Sequence, residues 1–137
     1  MNILILSSGT RNKIVEYFKR ELAGKGKVVC ADCSPLAPAL YFADKYYIVP
    51  RITDPSYIDY ILEICKKEEI NGVFSLIDPE LSLLAKNKEK FLAMGILPFV
   101  SNYEVVEKCF DKYGMYLMCN DLDIMSVKSY ISFDDFF

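Results

Sequence analysis

The stretch Asn2-Ile3-Leu4-Ile5-Leu6-Ser7-Ser8-Gly9-Thr10-Arg11 reads as a buried strand running into a polar turn, and the rest of the fold is built outward from it. A continuous apolar run with an abrupt polar stop suits a strand covered on both faces, the condition of parallel sheets flanked by helices. Beyond the turn, Ile14, Val15, Phe18 and Leu22 recur at helical spacing and predict a helix over 11–23. Gly24 and Gly26 end it, and residues 27–31, centred on Val28-Val29-Cys30, predict a second buried strand. Because crossovers between parallel strands are right-handed, these two strands are expected side by side.

The same alternation continues along the chain. After a loop restrained by Pro35 and Pro38, with a turn of helix near 39–42, a short third strand is expected at 46–49, stopped by Pro50. Asp54-Pro55 offers a capping side chain followed by proline, and predicts a helix to about Glu68 with Ile58, Ile61, Leu62 and Cys65 on its apolar stripe. Residues 72–76 predict a fourth strand. Asp78-Pro79 repeats the helix-start device and predicts a helix to about Gly95. A fifth strand at 96–100 carries Pro98, which places it at an edge. Ser101 and Glu104 have capping-box spacing for a helix to Phe110, Asp111 can cap a helix over 112–119, and 127–131 reads as a last strand. Alternating strands and helices of this kind make a parallel α/β sheet.

Composition narrows the chemistry. The 137 residues are 53% apolar, ample for one core. Sixteen basic and nineteen acidic residues give a net charge of −3, and the bases are scattered, so nucleic acid is not an expected partner. The run Ile3–Leu6 is too short for a signal peptide, and no stretch approaches the ~20 apolar residues that cross a bilayer, so no membrane partner is expected. Five cysteines, an odd number, point to a reducing cytoplasm. The chain has no histidine, which excludes histidine dyads, histidine zinc sites and histidine acid–base catalysis.

Ligands of open α/β sheets bind where strands end and helices begin. The loop Ser7–Asn12 is therefore the first candidate site: Gly9 permits close backbone approach, and Ser8, Thr10 and Arg11 offer donors. Only the middle glycine of a G-x-G-x-x-G fingerprint is present, so a pyrophosphate cradle is poorly supported. Asp32 follows the second strand, where dinucleotide-binding sheets carry a ribose-binding acid; it is open to that role, to another polar ligand, or to simple solvation. Cys30-Ala31-Asp32-Cys33 lacks the partners of a zinc site and the helix start of a redox site, and reads as ordinary thiols. Asp78 and Glu80 stand at a helix start, where acids are stabilising without any ligand. Glu80 nevertheless shares the carboxyl edge with the first loop. That edge would put Arg11 and Glu80 on a common rim, able to clamp a zwitterion or to pair with each other.

These residues together resemble the pre-ATP-grasp (N-terminal) domain of ATP-grasp ligases, of the carbamoyl-phosphate synthase large-subunit-like kind. The resemblance rests on Ile3 to Arg11, Ala31-Asp32-Cys33-Ser34-Pro35, Ala43-Asp44-Lys45-Tyr46-Tyr47, Val49-Pro50, Ile77-Asp78-Pro79-Glu80-Leu81, Phe110-Asp111-Lys112 and Val127-Lys128-Ser129-Tyr130, in that order over nearly the whole chain. It implies a Rossmann-like open sheet of about five mostly parallel strands with helices on both faces. It also implies a first domain over 1–110 and, over 111–137, the start of a truncated ATP-grasp domain. In such enzymes ATP and magnesium support activation of a carboxylate as an acyl phosphate. By resemblance, Gly9, Thr10, Arg11 and Glu80 are substrate contacts, and Lys112 reaches ATP phosphates. No catalytic residue, metal site or cofactor is expected for this chain alone. Its partners would be a carboxylate or amino-acid-like substrate, the missing ATP-grasp domains or a partner chain, and a second copy in a homodimer. A dinucleotide-binding oxidoreductase domain and a non-enzymatic ligand-binding module are the alternatives.

Overall fold

In the computed structural model, which describes residues 1–136, the chain divides into a unit over Met1–Val100 and a second beginning at Ser101. The sequence reading sets that boundary later, after residue 110; here the helix Tyr103–Phe110 groups with the residues on its C-terminal side.

The first unit is a five-stranded parallel sheet in the order β3-β2-β1-β4-β5. The strands are β1 (Ile3–Ile5), β2 (Val28–Asp32), β3 (Lys45–Ile48), β4 (Gly72–Phe74) and β5 (Leu97–Pro98). The expected α/β fold is thus present, and the first two strands are parallel neighbours, with Ile3, Leu4 and Ile5 opposite Val28, Val29 and Cys30. Side chains alternate across the pleat, so β1 feeds two cores. Ile3 and Ile5 pack with Val28, Cys30 and Val15 of α1 (Asn12–Leu22), together with Ala39 and Leu40 of a 3-10 turn, Pro38–Phe42. Leu4 and Leu6 face the other way. They join Val29 and Ala31 with Tyr57, Ile58 and Ile61 of α2 (Tyr57–Lys67), Leu84 of α3 (Asp78–Lys86) and Phe91 of α4 (Lys88–Leu92). Both faces are covered, which is why β1 and β2 carry no polar alternation.

Several local details differ from the sequence reading, each for a local reason. The helix expected from Asp54 begins at Tyr57, because the Asp54 carboxylate accepts from the Ser56 amide (2.9 Å) and hydroxyl (2.7 Å) and closes a turn of its own. The helix expected over 78–95 breaks at Asn87, whose side-chain amide donates to the Leu83 carbonyl at 2.9 Å. β5 shrinks to two residues, as Pro98 has no N–H to give, and it does form an edge.

At the amino-terminal edge of the sheet, Glu68 closes α2. Its carboxylate accepts from Lys45 Nζ at 2.6 Å and from the Tyr47 hydroxyl, tying α2 to the edge strand β3. The Lys45 ammonium, then the Tyr47 hydroxyl, hold the Glu68 carboxyl below the ordinary glutamate range. A depressed folded pKa stabilises above the unfolded value and loses that contribution as pH falls. The thermal midpoint of the native chain should therefore fall more steeply than that of Glu68→Gln as pH drops from the ordinary glutamate value of 4.5 downward. Parallel slopes for the two proteins in differential scanning calorimetry would count against this tie.

The second unit holds α5 (Tyr103–Phe110) and α6 (Lys112–Asp121), which pack on each other. Asp111 caps α6 as expected, accepting from the Tyr113 and Gly114 amides at 3.1 and 3.0 Å. The capping box expected at Ser101 and Glu104 is absent; Asn102 is the cap residue and makes no side-chain cap bond. The strand expected over 127–131 is irregular backbone instead.

Candidate functional site

The turn after β1 is held from below and from the side. Ser7 and Gly9 both have left-handed backbones, φ 41° and 51°, which fold the chain sharply over the sheet edge. Asp32, at the end of β2, points both oxygens at backbone donors: Oδ2 accepts from the Gly9 amide at 2.8 Å and Oδ1 from the Ser34 amide at 2.9 Å. The acid that sequence alone left open among ribose, ligand and solvent is thus buried and braces two loops. Ser8 is buried beside Cys30, whose thiol burial pushes up to about 12. Cys65 is likewise pushed up to about 12 by burial, so the Cys30 and Cys65 thiols are poor nucleophiles. Of Cys30 and Cys33, both expected to be ordinary buried thiols, only Cys30 is buried and Cys33 is exposed.

Glu80 is the most unusual residue of the edge. It lies in the first turn of α3 with none of its surface exposed. Oε1 accepts from the Ser7 hydroxyl at 2.9 Å and from the Tyr57 hydroxyl at 2.5 Å, while Oε2 accepts from the Ser75 hydroxyl at 2.5 Å. Burial raises its pKa, and the Ser75, Tyr57 and Ser7 hydroxyls pull the other way by bonding the charged form. Burial also raises the Tyr57 phenol, with the neighbouring Glu80 charge adding to the shift.

The common rim anticipated for Arg11 and Glu80 is therefore corrected. Glu80 is sealed beneath the turn by the hydroxyls around it, while the Arg11 guanidinium folds back to the Ser7 carbonyl at 3.2 Å. Among the described residues the two form no ion pair. Gly9 is half-buried within the turn and Thr10 is exposed on it. Lys112 begins α6 in the second unit, where its ammonium donates to the Cys109 carbonyl at 3.2 Å.

A cavity of about 200 Å³ opens at this edge between the segments that follow β1, β2, β3 and β4. Ser7 and Tyr57, the two hydroxyls on Glu80 Oε1, form its polar side. Val49, Pro50, Ile52 and Ile77 supply apolar wall, and Cys33 and Arg51 complete the lining. Sequence reasoning missed Tyr57, Ser75, Arg51 and the 49–52 segment. Tyr57 falls at core spacing on α2, and the usable signal was that a buried tyrosine needs a partner for its hydroxyl. Among the described residues, no group of three acidic or sulfur side chains is arranged to hold a metal ion. With Glu80 and Asp32 committed to hydroxyls and loop amides, the residues present do not compose a magnesium site.

The profile of the PylC-like N-terminal domain family matches residues 3–99, the sheet together with all the loops that build this cavity. The chain belongs to that family. The fold of this PylC-like domain recurs in solved ligases and carboxylases. It is similar to an L-amino acid ligase from Bacillus licheniformis (TM-score 0.67, 16% identity, covering 93% of this chain and 35% of that one). It is also similar to N5-carboxyaminoimidazole ribonucleotide synthetase from Thermotoga maritima (0.58, 16%, 88% and 30%). A third likeness is to the multifunctional pyruvate carboxylase of Rhizobium etli (0.62, 18%, 94% and 13%). The PylC-like domain thus spans about a third or less of these chains, and its sheet is the Rossmann-like sheet of a pre-ATP-grasp domain, as the sequence reading expected. No curated protein matches the sequence. No helix among the described residues is long and apolar enough to cross a membrane.

Proposed function

We propose that this PylC-like domain is the substrate-side N-terminal part of a cytoplasmic ATP-dependent ligase that joins a carboxylate to an amine or a thiol. The observation that carries the reading is the cavity at the carboxyl edge, built by the loops after four strands over one buried carboxylate. Ligand sites of parallel α/β sheets form at that edge. In the longer enzyme, of the carbamoyl-phosphate synthase-like kind, ATP and magnesium supply carboxylate activation through an acyl phosphate. They are bound by ATP-grasp domains later in the chain or by a partner chain. In this domain the turn Gly9-Thr10-Arg11 lies against the substrate, and Glu80 acts from beneath it. Lys112 reaches the phosphates from the start of the next domain, which we place over 111–137. A homodimer remains part of the proposal. The dinucleotide alternative is weakened by Asp32, whose two oxygens are already engaged by loop amides.

Two measurements test the proposal. The 137-residue chain, incubated with magnesium ATP, should release no phosphate, since phosphoryl transfer needs several cations placed around the γ-phosphate. Magnesium-dependent release that Lys112→Ala abolishes would overturn the inactivity of the domain alone. In the intact ligase, Arg11→Ala should lower kcat/KM by at least about tenfold, roughly 1.4 kcal/mol, while leaving the thermal midpoint nearly unchanged. An unaltered kcat/KM with a clear loss of stability would reduce Arg11 to its bond with the Ser7 carbonyl.

A further inference from the structure

Of the two borders of the sheet, β5 is two residues long and β3 four. β3 pairs with β2 alone, so its outer side offers backbone donors and acceptors without a neighbouring strand. The Val49 amide donates to the Asp32 carbonyl at 3.0 Å; by alternation Tyr47 also faces β2, while Tyr46 and Ile48 turn their amides and carbonyls outward. The register puts Tyr46 and Ile48 on the α1 face, and the Tyr46 ring lies 5.7 Å from that of Tyr41. Leu36 and Phe42 flank Tyr41, whose hydroxyl donates to the Pro35 carbonyl; Leu36 and Tyr41 are 83% and 65% exposed. With a large aromatic side chain presenting roughly 150–250 Å², these five residues leave on the order of 500 Å² of apolar surface in water, a size that marks interaction sites. On the α2 face, Tyr47 lines a small cavity with Glu63 and Lys67, and the Lys67 ammonium stands 5.3 Å from the centre of its ring. Glu63 and Lys67 are one helical turn apart, yet among the described residues neither makes an ion pair.

Resting on the homodimer of the proposed function, we infer that two copies pair through β3, antiparallel about a two-fold axis at Tyr47, and join their sheets into one. Tyr46 of each copy stands opposite Ile48 of the other, and the two pairs exchange the outward amide and carbonyl bonds. An occupant of this edge must itself be extended, because only a strand offers donors and acceptors at the matching spacing. A second β3 is such a strand, and an edge paired antiparallel with itself satisfies a two-fold axis. The apolar patches then meet beside the axis, and two of them together reach the ~1,000 Å² that a specific interface needs. On the other face the same axis reverses α2 against its copy. Glu63 of each copy is thereby brought toward Lys67 of the other, which gives both charges a partner of opposite sign. A foreign strand carrying one sign of charge would satisfy only one of the two.

The test combines sedimentation velocity and amide exchange on the 137-residue chain. The native chain should sediment as a dimer at roughly 50 μM, with slow exchange at the Tyr46 and Ile48 amides that becomes fast on dilution to the monomer. Ile48→Lys should raise the dimer Kd by at least about tenfold while leaving the circular dichroism unchanged, since a charge on an open edge opposes pairing. Glu63→Lys and Lys67→Glu should each weaken the dimer several-fold, and the two together should restore it to within about twofold of native. Both charges are exposed, so this set decides the matter even if Ile48→Lys fails to fold. A native dimer whose Tyr46 and Ile48 amides exchange as fast as in the monomer would overturn the pairing and leave the homodimer standing. A double exchange as weak as either single variant would do the same. A native chain that stays monomeric at about 500 μM would overturn both the pairing and the homodimer on which it rests.

Discussion

Glu80→Ala should destabilise the first unit by about 2–4 kcal/mol, the range for a large buried truncation that also strands polar partners. The substitution removes the acceptor shared by Ser7, Tyr57 and Ser75, and leaves an emptied volume beneath the turn. Relief of the burial cost of the carboxyl offsets part of this, which keeps the loss below the largest cavity effects. The thermal midpoint should fall by roughly 10 °C, given ~2–8 °C per kcal/mol for domains of this size. Glu80→Gln retains an acceptor and the side-chain volume, and should cost only about 1 kcal/mol. Scanning calorimetry of both variants settles the matter. An alanine variant that melts with the native protein would mean that the three hydroxyls find other partners, and that Glu80 has no structural role.

The second large effect is expected at Asp32. Its two charge-assisted bonds to the Gly9 and Ser34 amides join the turn after β1 to the loop after β2. Asp32→Ala should cost about 2–3 kcal/mol in urea denaturation and should speed amide exchange at Gly9 and Ser34 above all other sites of the edge. Asp32→Asn separates charge from geometry. An asparagine has one carbonyl oxygen, so one of the two amides would confront a second N–H donor, and about half the loss should remain. Equal exchange rates at Gly9 in native and alanine proteins would show that the left-handed turn holds itself without the brace.

The sheet was legible in the sequence because burial on both faces leaves a plain mark. Ile3–Ile5 and Val28–Ala31 are continuous apolar runs, and only strands within a doubly covered sheet tolerate that. Helix boundaries were less legible, because a capping side chain and a turn-closing side chain are the same residue. Asp54 and Asp111 both read as capping acids, and Asp54 has the added signal of a following proline, yet Asp54 closes a turn on Ser56 and Asp111 caps α6. The site was legible as an edge and illegible as a network. Loop position pointed to Ser7–Arg11 and Glu80 together, since both come after strands of one parallel sheet. That Glu80 faces inward depends on hydroxyls from Ser7, Tyr57 and Ser75, which lie on three separate segments and carry no joint pattern. Arg11 was chosen for its charge, but the cation that lines the cavity is Arg51. It lies after β3, an exposed four-residue edge strand with little apolar signature.

The order β3-β2-β1-β4-β5 puts the earliest strand of the sheet at its centre. During synthesis β1 gains one neighbour as soon as β2 leaves the ribosome, but its other flank, Ile3 to Ile5, waits for Gly72 to Phe74. Throughout that interval the nascent chain carries an apolar strand with an open edge, the kind of surface that recruits other chains. Glu80 emerges just after β4, so the carboxylate that the turn requires arrives only once the central strand is closed on both sides. Translation halted between β2 and β4 would therefore release a half-sheet prone to aggregation, with the turn after β1 still unsupported.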